Sequence, residues 1–256
     1  MRSRLSLFSI PYTIWMALFV VIPILIMMVY SLTTAEGAAT LENFTGMDIY
    51  TSVFIRSFEL ALIATLVCLL IGYPVSYMMA KEGPRFQKAA MALIMLPMWM
   101  NFLLRTYSWM SILENNGLLN QLFRSIGLIS LYNSVTGQNV QYFQMLRTPG
   151  AVVLGMVYNY LPFMILPIYS VILKLDGSLL EAARDLGADS AGVFRKVILP
   201  LSLPGVLSGV TMVFVPSVST FAISNLLGGG TQMMLGDLIE AQFLGGAYNP
   251  DRKSVV

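Results

Sequence analysis

Five apolar runs dominate this chain, and each is about as long as a lipid bilayer is thick. They cover residues 10–32, 60–80, 89–113, 151–173 and 201–227. About twenty apolar residues wound as a helix cross the roughly 30 Å hydrocarbon core. A helix is also one of the few structures that satisfies its own backbone groups there. The runs therefore predict an all-α integral membrane protein, a single transmembrane domain over 1–256 with five spans. Composition agrees: the 256 residues are 57% hydrophobic and 11% charged, with mean hydropathy +0.74. A soluble domain of this length carries about a quarter charged residues. The first run follows Arg2 and Arg4, as a signal peptide would, but it exceeds the roughly 7–15 apolar residues of a signal core. It is read as a retained anchor.

Basic residues set the orientation, because Lys and Arg collect in cytoplasmic loops. One set of connections holds Arg2 and Arg4, then Lys81, Arg85 and Lys88, then Lys174, Arg184, Arg195 and Lys196, nine of the 15 basic residues. The loop over 33–55 carries Glu36, Glu42 and Asp48 with no Lys or Arg. The N-terminus is thus expected in the cytoplasm, with residues 174–200 forming a cytoplasmic loop before the fifth span. Residues 114–148 face the other side, where "NNGLLNQLFRSIG" predicts a short interfacial helix.

Charges gather at the span edges, as the cost of burying one in lipid requires. Arg56 and Glu59, three apart, can pair across one helical turn. Arg105 lies toward the outer end of the third run, either snorkelling to headgroups or acting as a strut inside the bundle. Eight of the 12 prolines fall within the runs: Pro11, Pro23, Pro74, Pro97, Pro162, Pro167, Pro204 and Pro216. Each removes a backbone donor and favours a bent helix. Gly205 and Gly209 form a GxxxG spacing, suited to close helix packing.

Several chemistries lack their residues. The chain has no His, and Cys68 stands alone in an apolar run, so neither a disulfide nor a Cys/His metal site is expected. Net charge is only +2, which does not suggest a nucleic-acid partner. Lys253-Ser254 is preceded by Arg252, not by the Gly of a phosphate-binding loop. No cofactor, metal or catalytic residue is expected in this chain.

One stretch departs from the apolar pattern: "LLEAARDLGADSAGVFRKVILP", residues 179–200. Ser178 with Glu181 three residues on has the spacing of a capping box. Leu179, Ala183 and Leu186 share a helical face. Gly187 is placed to end that helix in the left-handed region. Asp189 or Ser190 can cap a second helix whose face carries Val193, Phe194 and Val197, and Pro200 marks the start of the next span. The result is a helix-turn-helix elbow, with Ala182 and Ala183 small enough to let another surface approach. It either rests on headgroups or docks a separate cytoplasmic subunit.

This stretch resembles the EAA motif of the membrane subunits of ABC importers: Glu-Ala-Ala, three residues, Gly, nine residues, an Ile-like residue, any residue, then Leu-Pro. Glu181, Ala182, Ala183, Gly187, Val197, Leu199 and Pro200 occupy those places, with Val197 standing for the usual Ile. Farther along, "ALIATLVCLLIGYPVSYMMAK", "LPMWMNFLLRTYSWM" and "YNYLPFMILPIYS" are similar to permease subunits of spermidine/putrescine-type importers. The resemblance spans about 41–244 and implies a type I importer permease fold. Such permeases have six spans. After "LIEAQFLGGAYNP" the family pattern continues into a last helix, whereas "DRKSVV" follows in this sequence, so five spans are expected here, either because the sequence is truncated or because the last span is lost.

The resemblance implies an inner-membrane permease subunit for polyamines, or for another small solute. It implies that ATP and Mg belong to cytoplasmic ATPase subunits, gripped through Glu181, Ala182, Ala183, Asp185, Gly187, Leu199 and Pro200. It further implies a second permease chain and an external solute-binding protein. A polyamine pathway offers carboxylates and aromatic faces to ammonium groups. Candidates are Glu59, Trp99, Tyr107, Tyr160, Asp237 and Glu240, with Trp109, Tyr158 and Phe221 beside them, each equally readable as packing. An ion-coupled transporter would instead need ionisable groups at mid-bilayer, and a membrane enzyme a nucleophile with its base.

Overall fold

A computed structural model describes residues 10–33, 38–41 and 50–244, with side chains of 242–244 left aside. The acidic loop residues Glu36, Glu42 and Asp48, the leading Arg2 and Arg4, and the end of the chain lie outside the described residues. The chain divides into two compact units, Met1–Ser52 with Leu238–Val256, and Val53–Asp237. Among the described residues, structure is helical apart from one isolated bridge between Thr33 and Ala39.

In the first unit, α1 covers Ile10–Ser31 and contains a π-helical stretch at Ala17–Val21. Its 22 residues suffice to cross a bilayer, and none of them is buried within the chain.

The second unit begins within α2, Thr51–Lys81, a 31-residue helix that keeps Pro74 inside it. At 1.5 Å per residue it is about 46 Å long, well beyond the hydrocarbon core. That is why it starts nine residues before the predicted 60–80 run: the extra turns carry Arg56, Ser57 and Glu59 and need not sit in lipid. Its buried positions, Ser57, Leu60, Ala61, Ala64, Thr65, Cys68, Gly72, Ser76 and Met79, follow a three-and-four spacing, which places them on one face. That face meets α7, Pro149–Ile172. At the centre Ser76 Oγ lies 3.0 Å from the Ile165 carbonyl, and a Cβ on Gly72 would come 2.9 Å from Met164 Cγ.

The predicted third span is not one helix. It is α3, Pro84–Trp99, followed by α4, Phe102–Leu113, and the bent pair turns by 92° when α4 is taken together with the next helix. The cause is local. Met100 is extended, and the Asn101 side chain accepts from the amides of Leu103 and Leu104 at 2.8 and 3.4 Å, starting a new helix. Two short helices follow, α5 at Leu118–Ser125 and α6 at Leu128–Thr136. α5 lies within the stretch expected to be helical. Asn120, on α5, clamps both the amide and the carbonyl of Phe143, at 2.9 and 3.0 Å.

The last predicted span is also redrawn. α9 runs unbroken over Ser190–Val218, and the helix stops there instead of at 227. The helix ends two residues after Pro216, Ser219 and Thr220 lie outside it, and α10 covers Ala222–Gly228. α11, Leu235–Leu244, is started by two side chains: Ser57 Oγ accepts from the Leu235 amide at 2.7 Å, and Asp237 Oδ2 from the Met234 amide at 2.8 Å. Among the described residues, four helices are long and apolar enough to cross a membrane, or five if the bent pair counts as one span.

α7 packs against α9 at the expected small residues. A Cβ on Gly205 would meet the Pro167 carbonyl oxygen at 2.9 Å, and one on Gly209 the Met164 sulfur at 2.8 Å. Without water to expel, helices in lipid associate by close packing, and small residues permit it. α7 thus lies between α2 and α9, and the core around Cys68, Met164, Ile168, Ile172 and Val213 belongs to all three.

Candidate functional site: the exposed helical elbow

Between α7 and α9 the chain leaves the bundle as α8, Gly177–Asp185. Its cap is not the predicted Ser178. Asp176 has extended backbone, and its Oδ1 accepts from the Ser178 amide at 2.9 Å. Ser178 itself is already helical, so its hydroxyl cannot fold back on its own turn as a capping box requires. The Ser178 amide, and then its hydroxyl, hold the exposed Asp176 carboxyl below its usual value of 3.8.

The other end of α8 is built as the sequence predicts. Gly187 has φ +83°, a conformation that costs any side chain about 1–2 kcal/mol. Its amide donates to Arg184 at 2.8 Å, and the Ala188 amide reaches back to the Ala183 carbonyl at 3.0 Å. Those bonds close a Schellman turn. Asp189 caps the second helix, accepting from the Gly192 amide at 2.8 Å. That helix is not a separate piece, as expected, but the first part of α9. A π-helical turn at Phe194–Ile198 joins it to the span. Pro200 follows that segment by two residues, inside the continuous α9.

The elbow is turned outward. Glu181, Ala182, Arg184, Asp185 and Gly187 are exposed, and Ala183 is half-buried. Leu179 and Leu186 do not pack as an inner face; both are exposed, Leu186 at 90%. The elbow thus leaves two apolar side chains exposed among charged neighbours. Leu199 and Pro200 are exposed as well, while Val193 and Ile198 anchor the base of the elbow as buried residues.

Sequence reasoning missed what holds that base. The Phe194 ring lies edge-on to Tyr73 and Tyr77, with centroids 5.8 and 5.3 Å away. Lys81 Nζ sits 4.2 Å above the Tyr77 ring, and Tyr73 Oη is 2.9 Å from Ser202 Oγ. The four-residue spacing of Tyr73 and Tyr77 was the available signal, since it puts both rings on one face of α2.

The pathway candidates are scattered over several elements. Glu59 is exposed beside an open apolar cleft formed with Phe54, Ile55, Phe58, Leu62 and Phe214. Trp99 is 84% exposed at the end of α3, and Tyr107 is exposed on α4. Tyr160 is half-buried, with its hydroxyl 3.4 Å from the Pro216 carbonyl. Asp237 serves the start of α11, and Glu240 follows on the same helix within the other unit. The expected Arg56–Glu59 pair does not form: Arg56 reaches across to the Thr231 carbonyl at 3.2 Å, a backbone acceptor brought close by the fold. Arg105 does not snorkel. It is 9% exposed, its carbon Cζ lies 6.0 Å from the Phe102 ring, and Nε and Nη1 have no hydrogen-bond partner.

Comparison with known proteins follows the same lines. The profile of the family described as "Binding-protein-dependent transport system inner membrane component" matches residues 72–249. The "Spermidine/putrescine transport system permease protein PotB" of Haemophilus influenzae is 40% identical over 238 residues, 90% of this chain and 80% of that protein. The Escherichia coli protein of the same description is 37% identical over 90% of this chain and 83% of its own length. Among solved structures, a bacterial ABC transporter involved in import of the acidic polysaccharide alginate superposes with TM-score 0.71 at 17% identity, covering 98% of this chain and 87% of that one. The alginate transporter in complex with a periplasmic protein bound to an alginate pentasaccharide gives 0.67 at 17% identity, covering 98% and 85%. At that identity the likeness is one of fold.

Proposed function

Because this chain belongs to the family of binding-protein-dependent transport system inner membrane components, we propose that it is the membrane-spanning permease subunit of an ATP-driven importer for spermidine and putrescine. It works with two cytoplasmic ATPase subunits, a second permease chain and an external solute-binding protein that delivers the polyamine. Its N-terminus and the elbow face the cytoplasm, as the distribution of Lys and Arg requires. ATP and Mg are held by the ATPase subunits. The substrate reading rests on the 40% and 37% identity to permeases described as spermidine/putrescine proteins.

The observation that carries the reading is the outward elbow of Asp176–Asp189. It is capped at both ends by its own residues and presents Leu186 amid Glu181, Arg184 and Asp185. In the proposed mechanism it sits in a groove of the ATPase. Leu186 fills an apolar hollow, Ala182 allows close approach, and Glu181 and Asp185 bond at the rim. ATP draws the two ATPase subunits together, and the elbows pass that displacement to the spans. Only contacts that differ between the two states can drive the change. Polyamine ammonium groups meet Glu59 and Asp237 and the aromatic faces of Trp99, Tyr107 and Tyr160 at separate points on the way in, since these residues do not form one site.

The test is reconstitution of the four components in vesicles. Spermidine uptake is expected to need ATP and the solute-binding protein, and to survive collapse of ion gradients. Single cysteines at positions 181–188, in a chain whose native Cys68 is buried, are expected to cross-link to the ATPase. Uptake driven by an ion gradient without ATP would sink the proposal.

A further inference from the structure

The elbow's second helix enters the membrane without a break, so a push on the elbow necessarily moves α9. Whether it moves anything else depends on what grips α9 at its base. We infer that Phe194 is a positioning residue that couples the elbow to α2 as well, through an aromatic clamp on Tyr73 and Tyr77. The inference rests on the proposed role of the elbow as the ATPase contact.

Three observations carry it. First, Phe194 opens the π-helical turn Phe194–Ile198. Such turns interrupt the i→i+4 ladder and are frequent at functional sites. This one lies at the junction of elbow and span, where a change in helix phase is most useful.

Second, the Phe194 ring meets two rings of α2, at 86° to Tyr73 and 70° to Tyr77. These are edge-to-face geometries, the favoured arrangement for aromatic pairs because the positive ring edge meets a negative face. Tyr77 is also held under Lys81. The clamp therefore resists rotation of Phe194 as well as its withdrawal.

Third, a hydrogen bond fixes α9 to α2 on the far side of the π turn. Ser202 Oγ donates its single proton to the Leu199 carbonyl at 2.9 Å. The 2.9 Å contact between Tyr73 and Ser202 must then have Tyr73 as donor. Tyr73 is thus held by Phe194 at the start of the turn and by Ser202 beyond its end. Any rotation of the elbow about the α9 axis must carry α2 along or break both contacts. α2 in turn packs closely on α7, with Ser76 Oγ 3.0 Å from the Ile165 carbonyl and Gly72 pressed against Met164. Displacement of the elbow thereby reaches all three core helices.

The experiment uses the reconstituted four-component importer and reads two quantities, ATP hydrolysis and spermidine uptake per ATP. Phe194→Ala is expected to keep ATPase assembly and hydrolysis while lowering uptake per ATP about tenfold. Phe194→Tyr, which keeps the ring, restores the ratio. Tyr73→Phe removes only the bond to Ser202 and lowers the ratio less. Spin labels on the cytoplasmic ends of α2 and α9 are expected to move together on ATP binding in the wild type and separately in Phe194→Ala. If Phe194→Ala does not insert or assemble, Phe194→Leu, which keeps an apolar side chain without the ring, takes its place with the same expected loss. An unchanged uptake-to-ATP ratio in an assembled ringless variant overturns the clamp. Absence of ATP-driven uptake in the wild type would overturn the proposed function instead.

Discussion

Gly205→Ala is a one-carbon probe of how the bundle is held. The added methyl would sit 2.9 Å from the Pro167 carbonyl oxygen, 3.1 Å from Ile168 Cα and 3.1 Å from Val171 Cγ2. The first two are backbone atoms of α7 and cannot rotate away, so α7 and α9 must part by a few tenths of an ångström. A gap of about 0.5 Å forfeits roughly a quarter of each dispersion well of about 0.1–0.2 kcal/mol. Over about thirty atom pairs along the seam that is roughly 1 kcal/mol, at the low end of the 1–3 kcal/mol typical of overpacking. At about 2–4 °C per kcal/mol for a chain of this size, the unfolding midpoint should fall by about 2–4 °C.

The chain carries its own reporter. Cys68 is the sole cysteine and fully buried, its sulfur 3.9 Å from the Val157 carbonyl. A thiol-reactive fluorophore in detergent solution should label it only as the bundle opens. Gly150→Ala is the control, since its methyl would find only Thr148 Oγ1 at 3.7 Å. That variant should melt at or above the wild-type temperature, because Ala is the better helix former. Equal midpoints for Gly205→Ala, Gly150→Ala and wild type would refute close packing at Gly205 as a source of stability.

Three further outcomes are expected. Gly187→Ala forces a side chain into φ +83° with nothing within 4 Å to clash. It should distort the elbow locally, lowering ATPase co-purification and uptake while leaving the Cys68 labelling temperature nearly unmoved; a fall in that temperature as large as for Gly205→Ala would contradict this. Arg105→Met, in the isolated chain, replaces a buried guanidinium whose Nε and Nη1 lack acceptors. Well-packed apolar replacements of buried charges are often stabilising by about 1–4 kcal/mol, so the labelling temperature should hold or rise, and a drop would mean that the guanidinium is satisfied. The Asp176 carboxyl is held below its usual value by Ser178. A depressed acid stabilises its fold above the ordinary value and loses that contribution as pH falls through the depressed one. Hydrogen exchange at 177–180 should therefore quicken only at strongly acidic pH in the wild type and be fast throughout in Asp176→Ala.

What the sequence made legible follows from how local each cause is. Gly187 and Asp189 act on their immediate neighbours, so the turn of the elbow could be read from residue types alone. The cap could not, because Asp176 and Ser178 are both good capping residues and only the backbone at Asp176 decides between them. Pro97 near the break of the third span looks no different from Pro74, Pro162, Pro167 or Pro204, which all remain inside continuous helices. The break needed Asn101 to catch the next two amides. Arg195 and Lys196 disguised the start of α9 as loop, although the helix is continuous from Ser190. The clamp on Phe194 depends on packing between elements far apart in sequence, which no local pattern reports.

The interior of the Val53–Asp237 unit explains why force would enter at the elbow. Several of its buried hydroxyls donate to their own helices: Thr65 to the Ala61 carbonyl at 2.7 Å, Ser76 to Gly72 at 2.7 Å with the Ile165 carbonyl of α7 at 3.0 Å, and Ser217 to Val213 at 2.6 Å. Asn159 donates likewise to Gly155 at 2.8 Å. Among the described buried residues Arg105 is the one charged side chain. Ion coupling works through carboxylates or histidines facing the bundle interior, whereas here the exposed carboxylates of Glu181 and Asp185 lie on the elbow. A bundle built this way has small residues where helices slide close together and charges where a second protein can hold it. Work done on such a chain is mechanical, applied at the elbow and carried inward by whatever grips its base.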